Sequence, residues 1–150
     1  MAGNRPTEPG ELLGAYRRLG DVPDRHRLRH HAPAYEGRDA VGGWLERHVL
    51  PGCGTEHSRE KALRHGRRWR EHMDERGRHH ALATPADVEA YAASLSGSDR
   101  TVARYWRRLV AFYEHLLTST DHPHLYSPVY MAADAGGEAR RAWDTAAGVR

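Results

Sequence analysis

Cysteine occurs once in the 150 residues, at Cys53, which excludes an internal disulfide and a cysteine-rich zinc module and fits a reducing compartment. Lysine also occurs once, at Lys61, beside 22 arginines. That bias fits a GC-rich genome better than a chemical demand for guanidinium at every position, so arginine content by itself carries little. No apolar run approaches the about 18 residues of a membrane span, and the N-terminus lacks the apolar core of a secretory signal. A soluble, cytoplasmic protein with no membrane partner is the expectation. A Gly-rich phosphate loop, a nucleophile elbow and a paired-carboxylate motif are all missing. Strong net charge is missing too: 23 cations face 20 anions for a net charge of +3, with a pI near 9.3, so the placement of charge matters more than its total. Apolar residues make up 39% at a mean hydropathy of −0.83, which suits one modest domain with flexible ends.

What the chain does have is one ladder of spacings written twice. Ser58, Ala62, Gly66, Trp69 and Met73 step by 4, 4, 3 and 4, and Thr101, Tyr105, Leu109, Phe112 and Leu116 repeat those steps 43 residues later. Residues three and four apart stack on one face of an α-helix, so the spacing predicts two long helices with a core between them. The first helix also carries Arg59, Lys61, Arg64 and Arg68, and the second carries Arg100, Arg104, Arg107 and Arg108. Residues 57–80 alone hold eight cations against four anions. An apolar stripe backed by an arginine stripe describes a helix that packs inward and meets phosphate outward.

Three regions follow. Residues 1–54 contain nine glycines and five prolines. Apolar periodicity at 9–19 and 39–50 predicts two short helices there, whereas 21–38, rich in His, Arg and Pro, reads as loop or disorder. Residues 55–129 read as a helical bundle. Its first helix starts near 56–59 and runs to about 76, where Gly77 suits the left-handed position after a helix end. Thr84-Pro85-Ala86-Asp87 combines a cap, proline at the first helical position and an acidic first turn, and opens a helix with Val88, Tyr91, Ala92 and Leu95 inward. Ser98 or Asp99 caps the third helix, which runs to about 118 and is apolar at Val102, Tyr105, Trp106, Leu109, Phe112, Tyr113, Leu116 and Leu117. Leu125-Tyr126 is expected to fold back as an apolar lid. Residues 130–150 read as a tail with at most a short helix at 138–147. The expected class is all-α, with a poorly ordered N-terminal region.

Several pieces carry a family resemblance: Ala83-Thr84-Pro85-Ala86-Asp87-Val88-Glu89-Ala90-Tyr91, Asp99-Arg100-Thr101-Val102-Ala103-Arg104-Tyr105, and Leu109-x2-Phe112-Tyr113-x2-Leu116. In order and spacing, residues 55–129 resemble the N-terminal core-binding domain of the tyrosine recombinases, the phage integrase family. The resemblance implies a small SAM-like orthogonal bundle of about four helices that clamps one side of duplex DNA, in a setting of DNA integration and recombination. Ala62 and Gly66 depart from the pattern, because the family tends to place larger apolar residues there. That predicts thinner packing and ~1 kcal/mol of lost helix propensity at Gly66. The family's catalytic domain, an arginine, lysine, histidine and arginine cluster around a tyrosine nucleophile, has no counterpart in the 21 residues after Val129. Arg140, Arg141, Arg150 and Tyr130 stand there without histidine or lysine, so Tyr126 and Tyr130 read as packing residues and no catalytic residue is assigned.

The expected partner is double-stranded DNA, bound through phosphates by Arg59, Lys61, Arg64, Arg68, Arg100, Arg104, Arg107 and Arg108, with the helix starts at Thr84 and Asp99 adding backbone amides. The alternative is a helical protein-interaction module or a truncated integrase remnant that pairs with a full-length recombinase or with itself. Exposure of Trp69, Trp106 or Tyr113 would support it. Twelve histidines raise a third possibility, yet Cys53-x3-His57, His30-His31, His79-His80 and His122-x-His124 match no structural zinc spacing, and no metal or cofactor is expected. The histidines raise the net charge below about pH 6.5, so DNA affinity is expected to strengthen on mild acidification, with His65 and His115, near the arginine stripes, among the candidate contributors.

Overall fold

Threonine and serine caps set the long helices. In the computed structural model, which describes residues 8–148, the Thr55 hydroxyl accepts the Ser58 amide at 3.0 Å and starts α3 (Glu56–Glu75). Thr84 likewise accepts the Asp87 amide at 3.2 Å ahead of α4 (Pro85–Ser94), and Ser98 rather than Asp99 caps α5 (Asp99–Thr118). Gly77, at φ 73°, takes the left-handed turn that follows α3. Before these lie α1 (Ala32–Tyr35) and α2 (Ala40–Trp44), the latter running on into a π-helical turn at Leu45–Val49. After them come α6 (Pro128–Ala135) and α7 (Gly137–Gly148). The described residues are all-helical, with no strand. The described residues form seven α-helices rather than about four: α3, α4 and α5 lie where three helices were read, whereas α6 occupies a stretch read as a Ser-Pro exit and the start of a tail.

Both ladders face inward along most of their length. Ala62, Gly66, Trp69 and Met73 are buried on α3, as are Leu109, Phe112 and Leu116 on α5, whereas Thr101 is exposed and Tyr105 half-buried. Trp69 and Tyr113 also fix the connection between α3 and α4. The Trp69 indole donates to the His80 carbonyl at 2.9 Å, and the Tyr113 hydroxyl donates to the same carbonyl at 2.8 Å while accepting the Ala83 amide at 3.0 Å.

The N-terminal region departs from its reading. Residues 21–38 were expected as loop or disorder, yet they form short 3₁₀ turns at Asp24–His26 and Leu28–His31 followed by α1. Val22, Leu28 and Tyr35 are buried in the same core as α3–α7. Local periodicity is silent here because each of these residues is held singly from elsewhere in the chain. The Leu28 amide donates to the Tyr126 hydroxyl at 3.0 Å, and the Tyr35 hydroxyl meets His122 Nδ1 at 2.5 Å. At 9–19 the expected helix reduces to 3₁₀ turns at Pro9–Leu12 and Leu19–Asp21, while 39–50 is helical as read. Residues 1–7, and 149–150 with Arg150, lie outside the described residues.

Gly66 explains how the N-terminal region docks. A Cβ at this position would stand 2.7 Å from Leu45 Cδ1 and 3.0 Å from Val41 Cγ1. The missing side chain therefore leaves a slot that α2 and its π-helical extension fill, replacing the thin packing expected there. The tail is likewise part of the core. Nearly all of α6 is buried, and α7 packs against α4, α5 and α6 through Ala139, Ala142 and Ala146. One continuous core runs from Leu13 to Ala146, so the composition changes near residues 54 and 129 have no counterpart in the packing.

Candidate functional site

The eight cations expected at a phosphate surface separate into three groups. Lys61 of α3 and Arg104, Arg107 and Arg108 of α5 line one cleft of about 480 Å³, together with Ser58, His65 and Ala111. Arg64 belongs with them, because its charge acts on His65 along with those of Lys61, Arg104 and Arg108. Arg68 turns away: its guanidinium lies 5.1 Å over the Tyr105 ring and donates to the Ser94 carbonyl at 2.9 Å, tying α3 to the end of α4. Arg59 and Arg100 are exposed in the first turns of α3 and α5, outside the cleft. Within the cleft Arg107 also has a structural role, since it donates to the Ala146 carbonyl and ties α5 to α7.

Most other arginines are neutralised locally. Arg17 pairs with Asp134, Arg29 with Asp24, Arg70 with Asp39, and Arg140 with Glu8 and Asp144. The buried Asp87 carboxylate takes Arg76 at 2.6 Å and Arg78 at 2.9 Å. Among the described residues, no carboxylate lies within ion-pair distance of Lys61, Arg64, Arg104 or Arg108. Arg108 is the most telling of these. Burial lowers its pKa from the ordinary value, and its nearest polar contact is a long one, Nε to His65 Nδ1 at 3.5 Å. A guanidinium partly stripped of water and without a counter-ion is costly unless an anion arrives from outside.

His65 forms the floor of the cleft. Its ring packs on Tyr105 with centroids 4.4 Å apart and is largely removed from solvent. Burial first, and then the charges of Arg108, Arg64, Arg104 and Lys61, push its pKa down to about 4. The expectation that His65 charges below about pH 6.5 is therefore corrected: it stays neutral through mild acid. His115 is also lowered, by burial and by His48, and it lies in another cleft.

The helix starts are less available than expected. The first turn of α4 is closed by Thr84 and by the Asp87 carboxylate, which accepts the Thr84 amide at 2.8 Å. The first turn of α5 is partly satisfied by Ser98. Trp69, Trp106 and Tyr113, the aromatics whose exposure would have favoured a protein-interaction surface, are 2%, 0% and 0% exposed. Tyr126 and Tyr130 are buried, the Tyr126 hydroxyl engaged by Leu28. No group of three His, Cys, Asp or Glu side chains among the described residues is placed to hold a metal ion.

Sequence reasoning did not find a second polar cleft of about 220 Å³, where Arg38, Asp39, Arg47 and His48 meet His115, Ser119, Asp121 and His122 at the end of α5. Its parts come from residues far apart in the chain, and the only local signal was the density of histidine.

Compared with protein-family models, curated proteins and solved structures, the chain matches none. No helix among the described residues is long and apolar enough to cross a membrane.

Proposed function

We propose that this protein binds duplex DNA through its phosphate backbone, with Lys61, Arg64, Arg104 and Arg108 as the central contacts and Arg59, Arg100 and Arg107 flanking them. The single observation that carries this reading is that, among the described residues, Lys61, Arg64, Arg104 and Arg108 cluster around the α3–α5 cleft with no carboxylate within ion-pair distance, where many of the remaining described arginines are paired. Four positive charges from two helices, with Arg108 half desolvated, provide what a phosphodiester needs: several donors and no competing anion. The order of long α3, Thr-Pro-capped α4, long α5 and Ser-Pro-opened α6 supports the finer reading, a SAM-like bundle resembling the core-binding domain of a tyrosine recombinase and acting in DNA integration or recombination. On this reading the protein positions itself on DNA and assigns no side chain to strand cleavage. Arg68 has a structural role, so it leaves the contact set.

The test is fluorescence anisotropy of a labelled duplex with the full chain and with Lys61→Ala/Arg104→Ala. Both side chains point into the cleft and hold no ion pair among the described residues, so the fold should survive, as a thermal melt checks. The double variant should bind more weakly, and its dependence of log K on log salt should flatten by about 2. Unchanged affinity and slope would remove the cleft from the interface. Absence of binding by the parent protein would favour the alternative, a helical protein-interaction module or an integrase remnant.

A further inference from the structure

The groups around His65 are unusually one-sided. From α3 it faces Lys61 and Arg64, and from α5 it faces Arg104, Tyr105 and Arg108. Val41 and Trp44 of α2 close the apolar side beneath it. Cys53 stands near Arg108, and among the described residues no carboxylate faces the ring. The cleft above has room for a tetrahedral oxyanion together with ordered water. Nδ1 of His65 is the acceptor in the 3.5 Å contact from Arg108 Nε, which leaves the ring's own proton on Nε2.

We propose that the α3–α5 cleft is a seat for one phosphate group, gripped by Lys61, Arg104 and Arg108, and that His65 on its floor takes up one proton as the phosphate enters. The proposal rests on the backbone-binding reading of the same cations and adds a site and a proton to it. As phosphate enters, Arg108 Nε turns from the ring to a phosphate oxygen. This frees Nδ1, which binds a proton from solvent and donates it in a hydrogen bond to the anion. No covalent bond forms or breaks. The proton is excluded from the empty cleft because burial first, and then the four cations, push the ring's pKa down to about 4 and hold it neutral. One negative charge about 4 Å away opposes those cations and shifts the proton equilibrium by up to about a thousandfold at the dielectric of a half-buried site.

The shared chemistry is a tetrahedral oxyanion, whose source is either a duplex backbone or a free ion. The experiment is an NMR titration of the His65 imidazole in the full chain, run alone, with a short duplex, and with inorganic sulfate, which does not itself titrate near neutrality. Alone, His65 should stay neutral to well below pH 6; with duplex it should charge with a midpoint above about 6, and duplex affinity should rise about tenfold between about pH 7.5 and 5.5 in the parent protein but not in His65→Gln. A bound duplex that leaves His65 neutral, or an equal pH response in His65→Gln, overturns the seat while the backbone-binding reading stands. Sulfate that charges His65 in a protein that binds no duplex upholds the seat and overturns that reading.

Discussion

Gly66 is where the N-terminal region and the two ladder helices meet. Because Val41 and Leu45 occupy the space of its absent side chain, Gly66→Leu should cost about 1–3 kcal/mol or more by overpacking, despite the better helix propensity of leucine. Urea denaturation measures it, and an unchanged midpoint would mean that α2 does not sit in the slot. Asp87 is the other residue on which much converges, with Arg76, Arg78 and Thr84 around a carboxylate 1% exposed. Burial raises its pKa, but the Arg76 and Thr84 hydrogen bonds and the Arg78 charge outweigh this and leave it below the ordinary value. Its contribution is therefore present above the ordinary carboxylate range and lost as pH falls through the folded value. Asp87→Asn should lower stability by about 1.5–3 kcal/mol at neutral pH, and the difference from the parent protein should shrink in strong acid. A constant difference across that range would show that the ion pairs contribute nothing.

At the scale of elements, α7 depends on a residue far from it in sequence. Glu89 of α4 accepts the Glu138 amide at 2.7 Å and the Ala139 amide at 2.8 Å, so a carboxylate satisfies two orphan donors at the positive end of α7. Glu89→Ala should cost about 1–2 kcal/mol, with hydrogen exchange accelerating first in α7. Exchange spread evenly over all helices would contradict this. The same contact explains why α7 read only as a weak tail. Gly136 and Gly137 announced a break, and nothing within residues 138–147 revealed that a cap waits 49 residues away. By contrast α3, α4 and α5 were legible almost to the residue, because their caps, their apolar stripes and Gly77 are local signals. The site was half legible. The ladders placed Lys61, Arg104, Arg107 and Arg108 on facing helices, but only the fold shows that Arg68 is spent on Ser94 and Tyr105, and that His65 is buried beneath the others.

For the whole molecule, histidine couples stability to pH. His65, His80 and His124 are all mostly buried, with pKa values pushed by burial to about 4, 3 and 4. His80 must stay neutral to accept the Val41 amide at 3.2 Å, one of the contacts that hold the N-terminal region. Since the unfolded chain takes up these protons below about pH 6.5 and the folded chain does not, stability should fall as pH drops from about 6.5 toward 4. The slope is at most about 1.4 kcal/mol per pH unit for each histidine that stays neutral. Urea titrations at several pH values check it; a flat profile would contradict the burial of these rings. The shared core also means that residues 1–54 are not dispensable. Their deletion removes Val22, Leu28, Tyr35, Val41, Trp44 and Leu45 from the interior, and the remainder should lose cooperative unfolding. DNA binding is for that reason best measured on the full chain.

The most direct test of the account is the salt dependence of that binding. With four to six phosphates neutralised by the α3–α5 cations, log K should fall linearly with log salt with a slope of about −4 to −5. A protein that fails to bind duplex at low salt, or that binds with a slope near zero, would contradict the claim that these cations meet a phosphate backbone.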